Sequence, residues 1–204
     1  GHAVAALATA FVFAQAVLLG DGGTGAHLAT QFLGFEVVFF NVDQFSLLMG
    51  VVVGFLATAA VLYAYGSEAP TWVTAFAMTY VATTRGTIYA GDWLTLVFFW
   101  ELTAVTSTLL VWQHGGEAVR AGYRYALFHG TGGTLLLAAV VVHFANAGTF
   151  LFSATTGIHP AATVFAAGGV GVKCGVIFLH SWLPDTHPRP HVAAAGFPSG
   201  FTTK

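Results

Sequence analysis

The sequence predicts an all-α fold, a polytopic bundle of transmembrane helices. Hydrophobic residues make up 56% of the 204 residues and charged residues only 7%, whereas a soluble domain carries about 25% charged residues. So little charge cannot cover a water-facing surface, and the apolar side chains are therefore expected to face lipid. Aromatic residues at 15% suit the interfacial anchors of a membrane protein. The net charge of −2 gives no basic footprint, so nucleic acid is not expected as a partner.

Apolar stretches of suitable length recur along the chain. A helix needs about 20 apolar residues to cross a bilayer, and inside lipid it must satisfy its own backbone. Because the chain starts at Gly1 and stops at Lys204 without a polar tail, we expect it to be part of a longer protein. We predict a single transmembrane domain over residues 1–204, whose spans are residues 3–19, 45–65, 71–89, 93–112, 121–145 and 161–183, with the start of a seventh at 191–204.

The segments between these spans indicate an orientation. Residues 35–43 are rich in β-branched and aromatic side chains, which predicts a short extended segment outside the bilayer within the long connection 21–44. The loop 113–120 is the one basic connection, because Arg120 and Arg124 lie in it or directly after it. Basic loops stay on the cytoplasmic side, so this loop is predicted to be cytoplasmic and residues 21–44 extracytoplasmic, in the cell membrane.

Two ionisable residues fall near the expected centre of the bilayer. Glu101 lies well inside its span, about 13 Å deep at about 1.5 Å per residue, and Lys173 is also near mid-span. An ionised side chain there costs at least about 2.5 kcal/mol, so it usually has a partner and a function. Both are candidate proton-transfer residues, with a purely structural ion pair as the alternative. The glycines from Gly168 to Gly175 favour function, because they let water or a neighbouring backbone approach.

Other polar features inside the spans have simpler interpretations. Arg85 lies near one end of its span, and its side chain is expected to reach the interface. His129 and His143 are spaced on one helix as in b-type haem proteins, but no other span offers a matching pair. A polar contact or a proton-relay station is therefore favoured for both. The glycine-rich residues 130–133 lie inside a span and indicate close helix packing. No nucleotide, flavin, metal or quinone motif is visible, so we predict no cofactor and no metal site.

The C-terminal part of the chain carries a specific motif. It runs from Lys173 through the residues HSWLPDTHP at 180–188 to Lys204. This pattern resembles the signature of the antiporter-like membrane subunits of respiratory complex I (NADH:quinone oxidoreductase) and of the multisubunit Mrp-type Na+/H+ antiporters. Upstream, residues 91–102 resemble the glutamate helix of that family, and the resemblance covers nearly the whole chain. Residues 189–192 depart from the family pattern.

The resemblance implies roles for four residues in proton transfer. Glu101 and Lys173 correspond to the paired intramembrane glutamate and lysine of the family. His180 corresponds to a histidine of the proton path, and Lys204 corresponds to a second lysine. The resemblance further implies half of an inverted-repeat transporter fold, with a half-channel over about residues 71–204. Its implied partners are the lipid bilayer and other membrane subunits of the same assembly.

The sequence therefore predicts a proton-translocating membrane subunit of a multisubunit cation/proton antiporter or of a complex I-like assembly. It would act as a translocase only within the larger complex, moving protons, with Na+ left open. The terminal residues FTTK favour a D-type Mrp subunit. Two alternatives remain open. One is a membrane subunit that energises inorganic carbon uptake, and the other is a non-transporting helical scaffold whose charges only join helices.

Overall fold

Six α-helices and one β-hairpin make up the part of the chain that the computed structural model describes, namely residues 2–19, 24–67, 70–113, 115–152, 158–176, 181–182 and 184. The predicted helical bundle is thus accompanied by a small sheet, and the predicted extended segment is confirmed as its second strand. In chain order the elements are α1 (His2–Leu19), β1 (Gly25–Phe32), β2 (Phe35–Val42), α2 (Gln44–Gly66), α3 (Thr71–Ile88), α4 (Trp93–Trp112), α5 (Glu117–Ala147) and α6 (Pro160–Cys174).

Three of the described helices, α2, α4 and α5, are long and apolar enough to cross a bilayer. They lie at three of the predicted spans. Helices α1 and α3 have 18 residues each and lie at two further predicted spans. The predicted start of a seventh span, at 191–204, lies outside the described residues.

Helix α6 is shorter than the span predicted over 161–183. It ends at Cys174 because Gly175 adopts a left-handed conformation with φ 62°, which lets its amide bond back to the carbonyls of Gly171 and Val172. A left-handed glycine after the last turn is a common way for a helix to stop. The helix therefore ends directly after Lys173, the residue that the sequence singles out.

The hairpin is anchored to the start of α4 by Asp92, which is fully buried. Its carboxylate accepts hydrogen bonds from the amide of Val38 (2.7 Å) and from the amide and hydroxyl of Thr95 (2.8 and 2.6 Å). One carboxylate thereby caps α4 and holds strand β2. Gly91 is required beside it, because a Cβ there would approach the Val38 side chain to 2.5 Å.

The helices pack mainly on their neighbours in the chain, α1 on α2, α3 on α4, and α5 between α4 and α6. The larger buried cluster consists mostly of small and β-branched residues from α1, α2 and α3, such as Ala57, Val61 and Val73, together with Tyr80 of α3 and Leu110 of α4. A second cluster, formed by Val97, Leu136 and Val140, joins α4 to α5. The second cluster lies in the half of the molecule that contains Glu101 and Lys173.

Candidate functional site

Glu101 projects from α4 toward the backbone of α5. Its Oε1 atom is buried and has no hydrogen-bond partner among the described residues. Gly133 of α5 leaves the space for this carboxyl group, because a Cβ built on Gly133 would overlap Oε1. A buried carboxylate oxygen without a donor is costly. The sequence predicts the depth of Glu101 but not this contact with a glycine.

Lys173 lies beside Glu101 at the end of α6, and its side chain is only 7% exposed. Its ammonium donates a hydrogen bond to the carbonyl oxygen of Trp100 (3.2 Å) and lies 4.1 Å from the centre of the Trp100 ring. A cation over an indole face is stabilised by the ring quadrupole. Trp100 directly precedes Glu101, and the two charged groups interact electrostatically. The structure therefore brings the two predicted intramembrane residues together.

Close packing of α5 on α6 positions Lys173. A Cβ on Gly169 of α6 would lie 2.6 Å from the carbonyl oxygen of Gly132 of α5, so both positions need glycine for this approach. The predicted role of residues 130–133 in helix packing is thus confirmed for Gly132. Because two glycines meet here, the backbone of α6 lies against α5 and its last turn reaches α4.

His129 lies in the same interface and is 2% exposed. Its Nδ1 is 3.1 Å from the carbonyl oxygen of Tyr125, and its ring stacks on the Tyr125 ring at 3.9 Å between centroids. Trp182 meets the His129 ring edge to face at 4.6 Å, and its indole nitrogen donates to the carbonyl of Val172 (3.0 Å). Lys173 interacts electrostatically with this histidine as well. His129 therefore belongs to the group around Lys173.

Buried hydroxyl groups form a second polar feature, which sequence reasoning missed. Tyr125 donates to the hydroxyl of Ser107 on α4 (2.8 Å). Between α3 and α4, the hydroxyls of Thr83 and Thr106 lie 3.2 Å apart and those of Thr87 and Thr103 3.5 Å apart. The sequence signal was present, because small hydroxyl residues recur at helical spacing on one face of α4.

The remaining candidates lie elsewhere or outside the described residues. His143 is buried toward the other end of α5, near Trp93, with 5.9 Å between ring centroids, and lines an apolar cavity of about 330 Å³. The guanidinium of Arg85 lies over the Tyr89 ring at 5.4 Å, near the end of α3. His180 and Lys204, both predicted for the proton path, fall outside the described part of the chain. Among the residues that are described, no group of three or more His, Cys, Asp or Glu could hold a metal ion.

The part of the chain that carries this site matches a known family. The model for the transmembrane region of NADH:quinone oxidoreductase and Mrp antiporter subunits matches residues 90–197, more than half of the chain. The chain therefore belongs to this family of antiporter-like membrane subunits, as the resemblance in the sequence predicts. The match begins at the start of α4, so it covers both Glu101 and Lys173.

Individual relatives agree with this assignment. The chain is 26% identical over 175 residues to NADH-quinone oxidoreductase subunit M of Escherichia coli K12, which covers 76% of this chain and 34% of that protein. A chain of respiratory complex I from Thermus thermophilus with bound NADH matches with a TM-score of 0.84 at 23% identity, covering 98% of this chain and 46% of that one. A chain of the Mrp complex from Dietzia sp. DQ12-45-1b matches at 0.78 and 20% identity, covering 98% and 41%.

These matches also give the share of the related proteins that this chain covers. The two structural matches show the fold, which the chain shares over nearly its whole length. The chain spans about a third of the length of the E. coli relative and less than half of either structural match. The described helices thus correspond to one part of a larger membrane protein fold.

Proposed function

We propose that this chain is a proton-translocating membrane subunit of a larger assembly, either a multisubunit cation/proton antiporter or a complex I-like complex. Family membership supports this class of subunit, and similarity to chains of multisubunit complexes supports other membrane subunits as partners. The observation that carries the proposal is the position of Lys173. Its ammonium is buried between helices and bonded to the main chain next to Glu101.

Two possible acceptors for Lys173 lie next to each other on α4. Its ammonium donates to the Trp100 carbonyl, while the Oε1 atom of the adjacent Glu101 has no hydrogen-bond partner among the described residues. A carboxylate binds an ammonium more strongly than a carbonyl does. Movement toward Glu101 would therefore strengthen the hold of Lys173 on its proton, and movement back would weaken it. We expect coupling events elsewhere in the assembly to shift this balance.

The continuation of the path rests on the family resemblance. A proton released by Lys173 would pass through His180 or water to Lys204, two residues that lie outside the described part of the chain. The half-channel would then extend over about residues 71–204 and form half of an inverted-repeat transporter. Protons are the proposed ion, and the proposal leaves Na+ open.

The proposal includes an orientation in the cell membrane. Arg120 and Arg124 are exposed in the first turns of α5 and flank the loop 113–120. Basic residues beside short loops favour the cytoplasmic side. The hairpin formed by β1 and β2 would then face the extracytoplasmic side, together with the end of α3 and the start of α4.

The test is Glu101→Gln in the native membrane complex, with proton uptake into membrane vesicles followed by a pH-sensitive dye. Gln keeps the size of the side chain and removes only its charge and its proton-binding ability, so the complex should assemble. We expect translocation to fall by about tenfold or more, the scale of a lost proton-transfer group. Glu36→Gln on the exposed face of β2 is the control and should leave translocation unchanged. Normal translocation by an assembled Glu101→Gln complex would contradict the proposal.

A further inference from the structure

His129 lies beside Lys173 in the contact between α5 and α6. Both side chains are more than nine-tenths buried, at 2% and 7% exposure. Gly132, one turn further along α5, approaches Val172, the residue before Lys173. Trp182 joins the two residues from a third direction, since it bonds to the Val172 carbonyl and packs on the His129 ring. The imidazole and the ammonium are therefore neighbours in one enclosed group.

The hydrogen bonding of His129 determines which ring nitrogen is free. A carbonyl oxygen only accepts, so the Nδ1 atom that faces the Tyr125 carbonyl at 3.1 Å must carry a hydrogen. In the neutral ring the Nε2 atom then holds a lone pair and can only accept. Nε2 is buried and has no hydrogen-bond partner among the described residues. A lone pair is thus left open in the same buried group of side chains as the Lys173 ammonium.

The contacts of His129 with Tyr125 also suit the protonated ring. Its stacking on Tyr125 at 3.9 Å, with 21° between the planes, places a cationic imidazole over an aromatic face, which is favourable. The Tyr125 carbonyl would continue to accept from Nδ1, and the Tyr125 hydroxyl is itself fixed by its bond to Ser107. The ring can therefore take up a proton without losing an existing contact.

We infer that His129 accepts the proton of Lys173 at its Nε2 atom, so that the lysine has a proton acceptor on α5 opposite Glu101 on α4. This inference rests on the proposed function. In the step, the Nζ–H bond breaks while an Nε2–H bond forms, and the positive charge moves from Lys173 to His129. No electrons are exchanged and no further reactant is needed. Neutral Lys173 can then be reprotonated, and the imidazolium passes its proton on.

The first test is His129→Phe in the native membrane complex, with vesicle proton uptake normalised to the amount of assembled complex. Phe keeps an aromatic ring against Tyr125 and Trp182 but has no proton acceptor. We expect translocation to fall by about tenfold or more. His143→Phe is the matched control, because His143 is an equally buried histidine of α5 whose Nε2 also lacks a described partner but which lies near Trp93 instead. It should change translocation by less than about twofold. An assembled His129→Phe complex with more than half of normal translocation would overturn the inference.

A second measurement does not depend on the folding of a His129 variant. Solid-state 15N NMR of the histidine-labelled complex reports the protonation of each imidazole nitrogen. We expect neutral His129 to be the Nδ1–H tautomer, with Nε2 free to accept, in the wild type, in Glu101→Gln and in Lys173→Met. An Nε2–H tautomer in all three complexes would contradict the inference, because Nε2 would then be unable to accept.

The two proposals can fail separately. If Glu101→Gln and Lys173→Met both translocate normally, the proposed function is wrong. If those two variants lose translocation while His129→Phe retains it, only the role of His129 is wrong.

Discussion

The helices α1–α3 and α4–α6 are both built from apolar residues, but they bury different groups. The core of α1–α3 consists mostly of small and β-branched side chains, such as Ala57, Val61 and Ala77. The buried histidine and lysine side chains of the described helices, His129, His143 and Lys173, all belong to α5 and α6. The family match begins at residue 90 and covers α4, α5 and α6.

This difference in buried groups indicates which helices of a membrane bundle are expected to hold functional residues. Lipid tails are as apolar as Val or Leu, so packing in α1–α3 stabilises the bundle through shape and van der Waals contact rather than through removal of apolar surface from water. Buried ionisable groups have no such benefit and remain costly. If the proposed function is right, changes in the two regions should therefore have different effects.

The largest effect is expected from Gly133→Ala in α5. The new Cβ would overlap Oε1 of Glu101, and since the carboxyl group ends a flexible side chain, it should move away rather than block folding. The displaced Glu101 carboxylate would no longer interact with the Lys173 ammonium. We therefore expect translocation to fall on the order of tenfold, equivalent to about 1.4 kcal/mol. Vesicle proton uptake per assembled complex measures this.

The control for this change lies on the same helix. Gly130 has no atom within 4 Å of the position of an added Cβ, so Gly130→Ala adds only the better helix propensity of alanine. It should leave translocation unchanged. Equal losses in the two variants would show that backbone flexibility of α5, rather than the space for Glu101, is what matters.

A smaller effect of another kind is expected from Val61→Ala in α2. Val61 is fully buried, and its truncation removes packing contacts that surrounding helices only partly recover. We expect the complex to lose about 1 kcal/mol of stability, seen as a lower thermal unfolding midpoint, with unchanged translocation per assembled complex. Val52 lies on the same helix and is 42% exposed, so Val52→Ala should change neither the thermal unfolding midpoint nor translocation. If Val61→Ala lowered translocation without lowering stability, α1–α3 would also take part in translocation, contrary to the proposed difference between the two regions.

The smallest effect is expected at the boundary between the regions, from Thr106→Val. The change keeps the shape of the side chain and removes the hydroxyl contact with Thr83 across α3 and α4. Hydrogen bonds between transmembrane helices contribute about 0.6 kcal/mol on average. The thermal midpoint should therefore fall slightly, and translocation should stay within about twofold of the wild type. Thr79→Val, on the exposed face of α3, is the control. A large loss of translocation would place the buried hydroxyl groups between α3 and α4 within the proton path.

Much of the fold could be predicted because hydropathy acts over whole helices. The positions of α2, α4 and α5 follow from runs of apolar residues as long as the bilayer is thick. The end of α6 could not be predicted from that signal, since the chain stays apolar past Cys174 while one left-handed glycine, Gly175, stops the helix. The hairpin was predicted only as an extended segment, because its pairing and its attachment to Asp92 depend on distant residues.

The site could be predicted in part because charge in a membrane span is rare. Glu101 and Lys173 are conspicuous for that reason alone, and the structure brings them together. Gly133, which lies against Glu101, and Tyr125, which lies against His129, are ordinary residues for a helix and become informative only once α5 is packed between α4 and α6. His129 was one of two equivalent histidines in the sequence, and only the packing of α6 distinguishes it from His143.

We propose that Glu101 and Lys173 act as a proton-transfer pair rather than as a structural ion pair between helices. The most direct test is proton translocation by the double variant Glu101→Gln with Lys173→Met in the native complex, compared with each single variant. Removing both charges leaves no uncompensated charge between the helices, so the double variant should assemble normally. We expect that the assembled double variant still fails to translocate protons. Wild-type translocation by the double variant would contradict it and would identify the two residues as a structural ion pair.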